Sequence, residues 1–308
     1  FVMIYTVTFN PSIDYIMFTD GFELSGLNRA TTTHKFAGGK GINVSRVLST
    51  LEIPSTALGF TGGFPGEFIK DTLAANEIYT DFITVDEDTR INVKLKSGQE
   101  TEINAPGPNI SKQQFEALLN QIKRTTSEDV VVIAGSVPQS IPSDAYAQIA
   151  RITQETGAQL VVDAEKDLVN TILPFQPLFI KPNKYELEEM FDITIQNDMD
   201  VVYYGRKILE QGAQSVIITL GGDGAIYIDQ QQSIKAQNPQ GKVINTVGSG
   251  DSTVAGMVAG LTSGLSIQEA FKQAVAAGTA TAFNDDLATR DDIEKIKDQV
   301  TMTVLDGE

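Results

Sequence analysis

Apolar and polar positions alternate along the chain in two rhythms. The stretches IYTVTF, STALGFTG, DVVVIAGS, AQLVVDA, PLFIKPN and SVIITLGG are rich in Val, Ile and Thr and predict β-strands. The last four are nearly continuously apolar, the pattern of parallel strands covered on both faces. Between strands, SKQQFEALLNQIKR, PSDAYAQIARITQET, KYELEEMF and GRKILEQ repeat their apolar residues at helical spacing. Such alternation builds right-handed strand–helix–strand units. It predicts an α/β fold with a doubly wound, mostly parallel sheet flanked by helices.

Two stretches break the rhythm. Residues 12–35 and 88–104 alternate with period two and have no helix between their runs. They predict short antiparallel strands inserted into the α/β body, a small sheet covering a site. The chain is therefore expected to be one domain over residues 1–308, with a lid formed by these two segments. From DSTVAGMVAGLTSG through SIQEAFKQAVAAGTATAF the C-terminal third predicts two helices rich in Ala and Gly, whose small residues allow close packing.

Composition narrows the function. The 308 residues are 41% hydrophobic and 20% charged, proportions of an ordinary globular protein rather than a disordered one. The absence of cysteine excludes disulfides, thiolate catalysis and cysteine zinc sites, and suits a reducing, cytoplasmic setting. No apolar run approaches the roughly 20 residues of a membrane span. The N-terminal FVMIYTVTF runs straight into a strand pattern, so no secretory leader is expected. A net charge of −17 argues against a nucleic-acid partner, which needs a basic face. It also means that a phosphorylated ligand must find a local cluster of Lys, Arg and backbone N–H groups.

Open α/β sheets bind ligands beyond the carboxyl ends of their strands. Here those ends carry Asn10 and Asp14, Gly62-Gly63, Gly135-Ser136, Asp163, Lys181-Pro182-Asn183 and Thr219 to Gly222. The stretch FAGGKGINVSRVL sets three glycines around Lys40 at the mouth of a helix, where free N–H groups and the helix dipole favour an anion. The stretch NTVGSGDSTVAG places Gly248, Ser249 and Gly250 at another helix start, with Asp251 beside them. There the glycine turn can cradle a transferring phosphoryl group while Asp251 accepts a proton from an attacking hydroxyl. A helix cap alone would explain Asp251, but neither the flanking glycines nor the upstream glycine–lysine turn. Neither stretch has the Walker A spacing or a full dinucleotide G-x-G-x-x-G. His34, the only histidine, lies in no metal or acid–base pattern.

In order and separation, GGKGINVSRVL and NTVGSGDSTVAG resemble the two signature motifs of the ribokinase-like (PfkB) sugar kinases. The resemblance extends over essentially the whole chain through TFNPSID, GSVP, KPNKYELE and ITLGGDGA. It is nearest to the phosphosugar branch, the 1-phosphofructokinases and tagatose-6-phosphate kinases. The resemblance implies an ATP- and Mg²⁺-dependent kinase with Asp251 as catalytic base and Gly248, Ser249 and Gly250 as anion hole. It assigns Asp14, Gly38, Gly39, Lys40 and Asn43 to the sugar, and Arg29, Arg90, Asn92 and Ser136 to the same phosphosugar. Lys181 and Asn183, with Thr219, Gly221 and Gly224, fall to the nucleotide, and Asn284 lies near the expected adenine pocket. Asn183 and Glu186 form the N-x-x-E that organises Mg²⁺, mainly through water and phosphate. On their own these two residues better describe an ordinary helix start after Pro182.

Physical chemistry supports part of this. A planar guanidinium suits phosphate, and Arg90 sits on a strand of alternating apolar and polar positions in an acidic protein. Lys94 shares its strand face with Asn92. One departure is NDDLATR near the C-terminus, where many relatives carry a Gly-Thr-Gly turn. The resemblance implies a phosphorylated ketohexose substrate, fructose 1-phosphate first and tagatose 6-phosphate second, and a homodimer paired through the lid. A non-catalytic phosphosugar-binding protein is the reading from another class, and it predicts loss of the base or of the anion-hole glycines.

Overall fold

The structure, a computed structural model, describes residues 2–305. At its centre stands an eleven-stranded sheet. From one edge the strands run Thr301–Val304, Ser233–Gln237, Ala225–Asp229, Ser215–Thr219, Phe179–Ile180, Gln159–Asp163, Val130–Ala134, Ile4–Thr8, Ser55–Thr61 and Tyr79–Thr80; Ile83–Thr84 also pairs with Ser55–Thr61. Pairing is parallel from Ser215–Thr219 to the Tyr79 edge and antiparallel across the three strands beyond it. Every strand expected from the apolar runs is present. Their continuous hydrophobicity is explained by cover on both faces: Val131, Ile133, Val162 and Ile218 belong to one buried cluster, Val130, Val132, Val161 and Ile217 to another.

The expected helices form at Lys112–Lys123, Ala145–Thr156, Lys184–Phe191 and Asp198–Glu210. The Ala- and Gly-rich end forms Ser249–Thr262 and Ile267–Ala282. The small residues there serve packing, since a Cβ on Gly256 would lie 2.8 Å from the Cα of Ala274.

Residues Ser12–Thr19, Ala30–Gly38, Arg90–Ser97 and Gln99–Ile103 form a separate four-stranded sheet. Its two hairpins are antiparallel, as expected. The hairpins themselves, however, are joined by a parallel pairing of Ser12–Thr19 with Arg90–Ser97, so the small sheet is mixed. Both of those strands leave the same end of the central sheet and enter the small one in the same direction. Period-two alternation shows which residues share a face and is silent on strand direction.

Candidate active site

A cleft of about 620 Å³ opens at the carboxyl ends of the central strands, between the body and the small sheet. Two helix starts bring its chemistry together. Helix Lys40–Thr50 begins at Gly39, and the Asn43 amide reaches across 208 positions of sequence to donate to Oδ2 of Asp251 at 3.0 Å. Helix Ser249–Thr262 begins at Gly248, whose φ of 81° is left-handed and suits glycine; this turn delivers Asp251 into the first helical turn. Asp251 is only 4% exposed. Burial pushes its carboxyl up from 3.8 to about 6, and Asp163 adds to the rise; Lys40, the Asn43 hydrogen bond and Lys181 pull the other way.

Opposite Asp251 lie two ammonium groups with one carboxylate between them. Asp163, at the end of its strand and 5% exposed, has Oδ2 at 3.7 Å from Nζ of Lys40 and Oδ1 at 3.7 Å from Nζ of Lys181. Lys40 is held above the ordinary lysine range, chiefly by Asp163 and against the effect of burial.

The small sheet supplies the remaining wall. Asp14 accepts hydrogen bonds from Ser12 Oγ at 2.8 Å and Asn92 Nδ2 at 3.3 Å. Gly38 crosses so close to the Asp14 carboxylate that no Cβ fits. The guanidinium of Arg90 donates Nε to the carbonyl of Asn10 at 3.2 Å and Nη1 to that of Ala105 at 3.3 Å, which leaves other N–H groups for a ligand. Lys94 faces the cleft 3.7 Å from Glu102.

Of the residues expected at the site, Asp14, Gly39, Lys40, Asn43, Arg90, Asn92, Ser136, Lys181, Asn183, Glu186, Gly248, Gly250 and Asp251 line this one cleft. Several others do not. The N–H of Ser249 donates to the Thr246 carbonyl at 3.1 Å, because the turn closes just before the helix begins, so Ser249 does not share in an anion hole through that group. Arg29 is exposed in the loop joining Ser12–Thr19 to Ala30–Gly38 and does not line the cleft. Thr219, the last residue of its strand and bridged to Asn183, and Gly221 and Gly224, which follow it, also lie off the cleft wall. Asn284 gives its amide to Asp292 at 2.9 Å, reinforcing the cap of helix Arg290–Lys297, and also lies off the cleft wall. NDDLATR is tied to helix Lys40–Thr50 and the turn after it, with Arg46 on Asp286 at 2.7 Å and Arg290 on Glu52 at 2.6 Å.

Asn183 and Glu186 cap their helix reciprocally: Glu186 accepts from the Asn183 N–H at 3.0 Å, and Asn183 Oδ1 accepts from the Glu186 N–H at 2.7 Å. Among the described residues no cluster of three His, Cys, Asp or Glu could cage a metal. The hard oxygen donors of Glu186 and Asn183 nevertheless fit Mg²⁺, which keeps several waters and leans on phosphate oxygens. Sequence reasoning passed over Asn104 and Glu102 and placed Asn10 and Asp163 only as strand-end residues of the expected crevice, without a chemical role; all four are on the cleft wall.

Residues 7–291 match the pfkB family of carbohydrate kinases. The chain belongs to that family. It is a sugar kinase, transferring a phosphoryl group from ATP to an alcohol of its substrate. It is 45% identical to the 1-phosphofructokinase of Bacillus subtilis over 98% of this chain and 100% of the relative. It is 35% identical to a tagatose-6-phosphate kinase of Staphylococcus epidermidis over 91% and 92%. Among solved structures, phosphofructokinase-2 from Escherichia coli in complex with substrates and products superposes with a TM-score of 0.90, at 29% identity over 96% of this chain and 98% of that one. The doubly wound sheet with its small separate sheet is thus the family's fold.

Proposed function

We propose that this kinase phosphorylates fructose 1-phosphate, giving fructose 1,6-bisphosphate and ADP. The observation that carries the reading is the buried Asp251 carboxylate, which faces one cleft with Lys40 and Lys181 on the body side and Arg90 and Lys94 on the small-sheet side. That arrangement provides a base, a cationic transfer zone and a second cationic zone for a phosphate already on the sugar. The relatives named 1-phosphofructokinase, from Bacillus subtilis and Borreliella burgdorferi, support the choice of sugar.

In this reading Asp251 takes the proton from the sugar hydroxyl as its oxygen attacks the terminal phosphorus of ATP and the bond to ADP breaks. The loose transition state needs charge neutralised more than it needs a strong base. The N–H groups of Gly248 and Gly250 and the positive end of helix Ser249–Thr262 receive that charge, with Lys40 and Lys181 beside them. Asp14, oriented by Ser12 and Asn92, takes sugar hydroxyls together with Asn43, and the free N–H groups of Arg90 take the sugar's phosphate. Glu186 and Asn183 would hold Mg²⁺, which when bound neutralises nucleotide phosphate charge. The nucleotide extends along Thr219, Gly221 and Gly224. Tagatose 6-phosphate is the second reading, supported by the Staphylococcus epidermidis relative.

The residues divide into one kinase domain with the small sheet as its lid, and we infer a cytoplasmic homodimer paired through that sheet. Phe22, Leu24 and Leu27 support the pairing: they stand exposed on the same hairpin loop as Arg29, Leu24 and Leu27 by more than four fifths. Replacing Asp251 with Asn tests the mechanism. Turnover should fall by about 10³-fold or more while sugar binding, read by calorimetry, stays within about threefold. Retained turnover would remove Asp251 from the role of base.

A further inference from the structure

Asp163 is an anomaly of the cleft. It is one of six acidic side chains on the cleft wall, with Asp14, Glu102, Glu165, Glu186 and Asp251, where two phosphate-bearing substrates must meet, and simple electrostatics makes it a cost to anion binding. Its Oδ2 is buried and has no hydrogen-bond partner. Yet each of its oxygens is turned to a different lysine at the same 3.7 Å. The lysines differ sharply in surroundings. Lys181 is 7% exposed, and its Nζ lies 3.1 Å from where a Cβ on Gly250 would stand, against the glycine turn. Lys40 is half exposed on a flexible stem beside Gly135, whose N–H donates to the Asp163 carbonyl at 3.2 Å.

We propose that Asp163 is a positioning residue: its two carboxylate oxygens, one toward each lysine, fix Lys40 beside Gly135 and Lys181 beside Gly250 on either side of the phosphoryl group in transit. This rests on the phosphosugar-kinase reading of the cleft. Lysine is a point charge on a mobile stem, so its value in a transition state depends on where the ammonium is held. A carboxylate buried between the two groups holds both at once and keeps Lys181 from being a buried charge without a counter-ion. The carboxylate thus trades some ground-state anion affinity for fixed geometry in the transition state.

The test is a double-mutant cycle on the full-length protein, using whichever phosphosugar it turns over, so failure of fructose 1-phosphate as substrate leaves the cycle readable. Asp163→Asn should lower kcat about tenfold or more, while the Kd of a non-hydrolysable ATP analogue, measured by calorimetry, weakens by no more than about twofold. In a Lys40→Met, Lys181→Met background the same change should cost less than about threefold in kcat, because the groups it positions are gone. If Asp163→Asn does not fold, Asp163→Leu combined with Lys40→Met and Lys181→Met removes the buried charges together, and its kcat should match that of Lys40→Met, Lys181→Met within about threefold. Full additivity of the losses would overturn the proposal. So would a weakened analogue Kd restored by raising Mg²⁺, which would place Asp163 on the metal. A lower melting temperature with unchanged kcat would show a structural role only.

Discussion

Asp251 joins stability and chemistry in one carboxyl group. Its folded pKa of about 6 lies above the ordinary 3.8 because burial dominates the charges around it. The folded protein therefore holds the proton more tightly than the unfolded chain does. Stability falls as pH rises from about 4 to 6, and above 6 the full cost of roughly 3 kcal/mol is present. Asp251→Asn should accordingly melt several degrees higher than the unaltered protein at pH 8, with the difference closing near pH 4, by differential scanning calorimetry. The same ionisation sets the rate. The base must be deprotonated, so kcat/KM should lose about tenfold per pH unit below 6 and level off above it. A profile flat down to pH 5 would show that another group sets the acid limb. Much at this scale was legible. The glycines and Asp251 stand together in sequence, and the two signature stretches named most of the cleft. The direction of one backbone N–H was not legible: Ser249 looks equivalent to its neighbours until the turn commits it to Thr246.

The elements show why sequence reading reached the body of the fold more easily than its margins. Parallel strands buried on both faces announce themselves as unbroken apolar runs, and Val130–Ala134 is buried throughout. The antiparallel strands Ala225–Asp229, Ser233–Gln237 and Thr301–Val304 were missed because the first two are joined by a tight hairpin with no helix between them and the last, at the sheet edge, is largely exposed. The pairing of Ser12–Thr19 with Arg90–Ser97 was misread in direction, since alternation carries no sense of chain polarity. The Ala- and Gly-rich helices were read correctly as a packing device, and that reading has a test. In Gly256→Ala the new methyl meets the backbone of Gln273 and Ala274 at 3.0 Å or less, where no flexible side chain can yield. Thermal unfolding should show a loss of about 1–3 kcal/mol, and an unchanged melting temperature would refute the close fit. At the small sheet, Asn92→Ala removes the amide that reaches Asp14 and takes the Ala105 N–H. KM for the sugar should rise about tenfold with a smaller change in KM for ATP; an unchanged sugar KM would detach Asp14 from the sugar.

At the scale of the whole molecule, a strongly acidic protein brings four cations to one cleft, Lys40, Arg90 and Lys94 from the first third of the chain and Lys181 from the second, together with Asp251 from the last. If the small sheet pairs two copies, sedimentation equilibrium should give about twice the 33.3 kDa chain mass, and Leu24→Asp with Leu27→Asp should return it to one. A monomeric unaltered protein would end the dimer proposal without touching the chemistry. The central claim is the choice of substrate, and comparative initial rates with ATP and Mg²⁺ on fructose 1-phosphate, tagatose 6-phosphate and fructose 6-phosphate test it most directly. The account predicts a kcat/KM at least about tenfold higher for fructose 1-phosphate than for either alternative. A preference for tagatose 6-phosphate, or no turnover with any of the three, would contradict it.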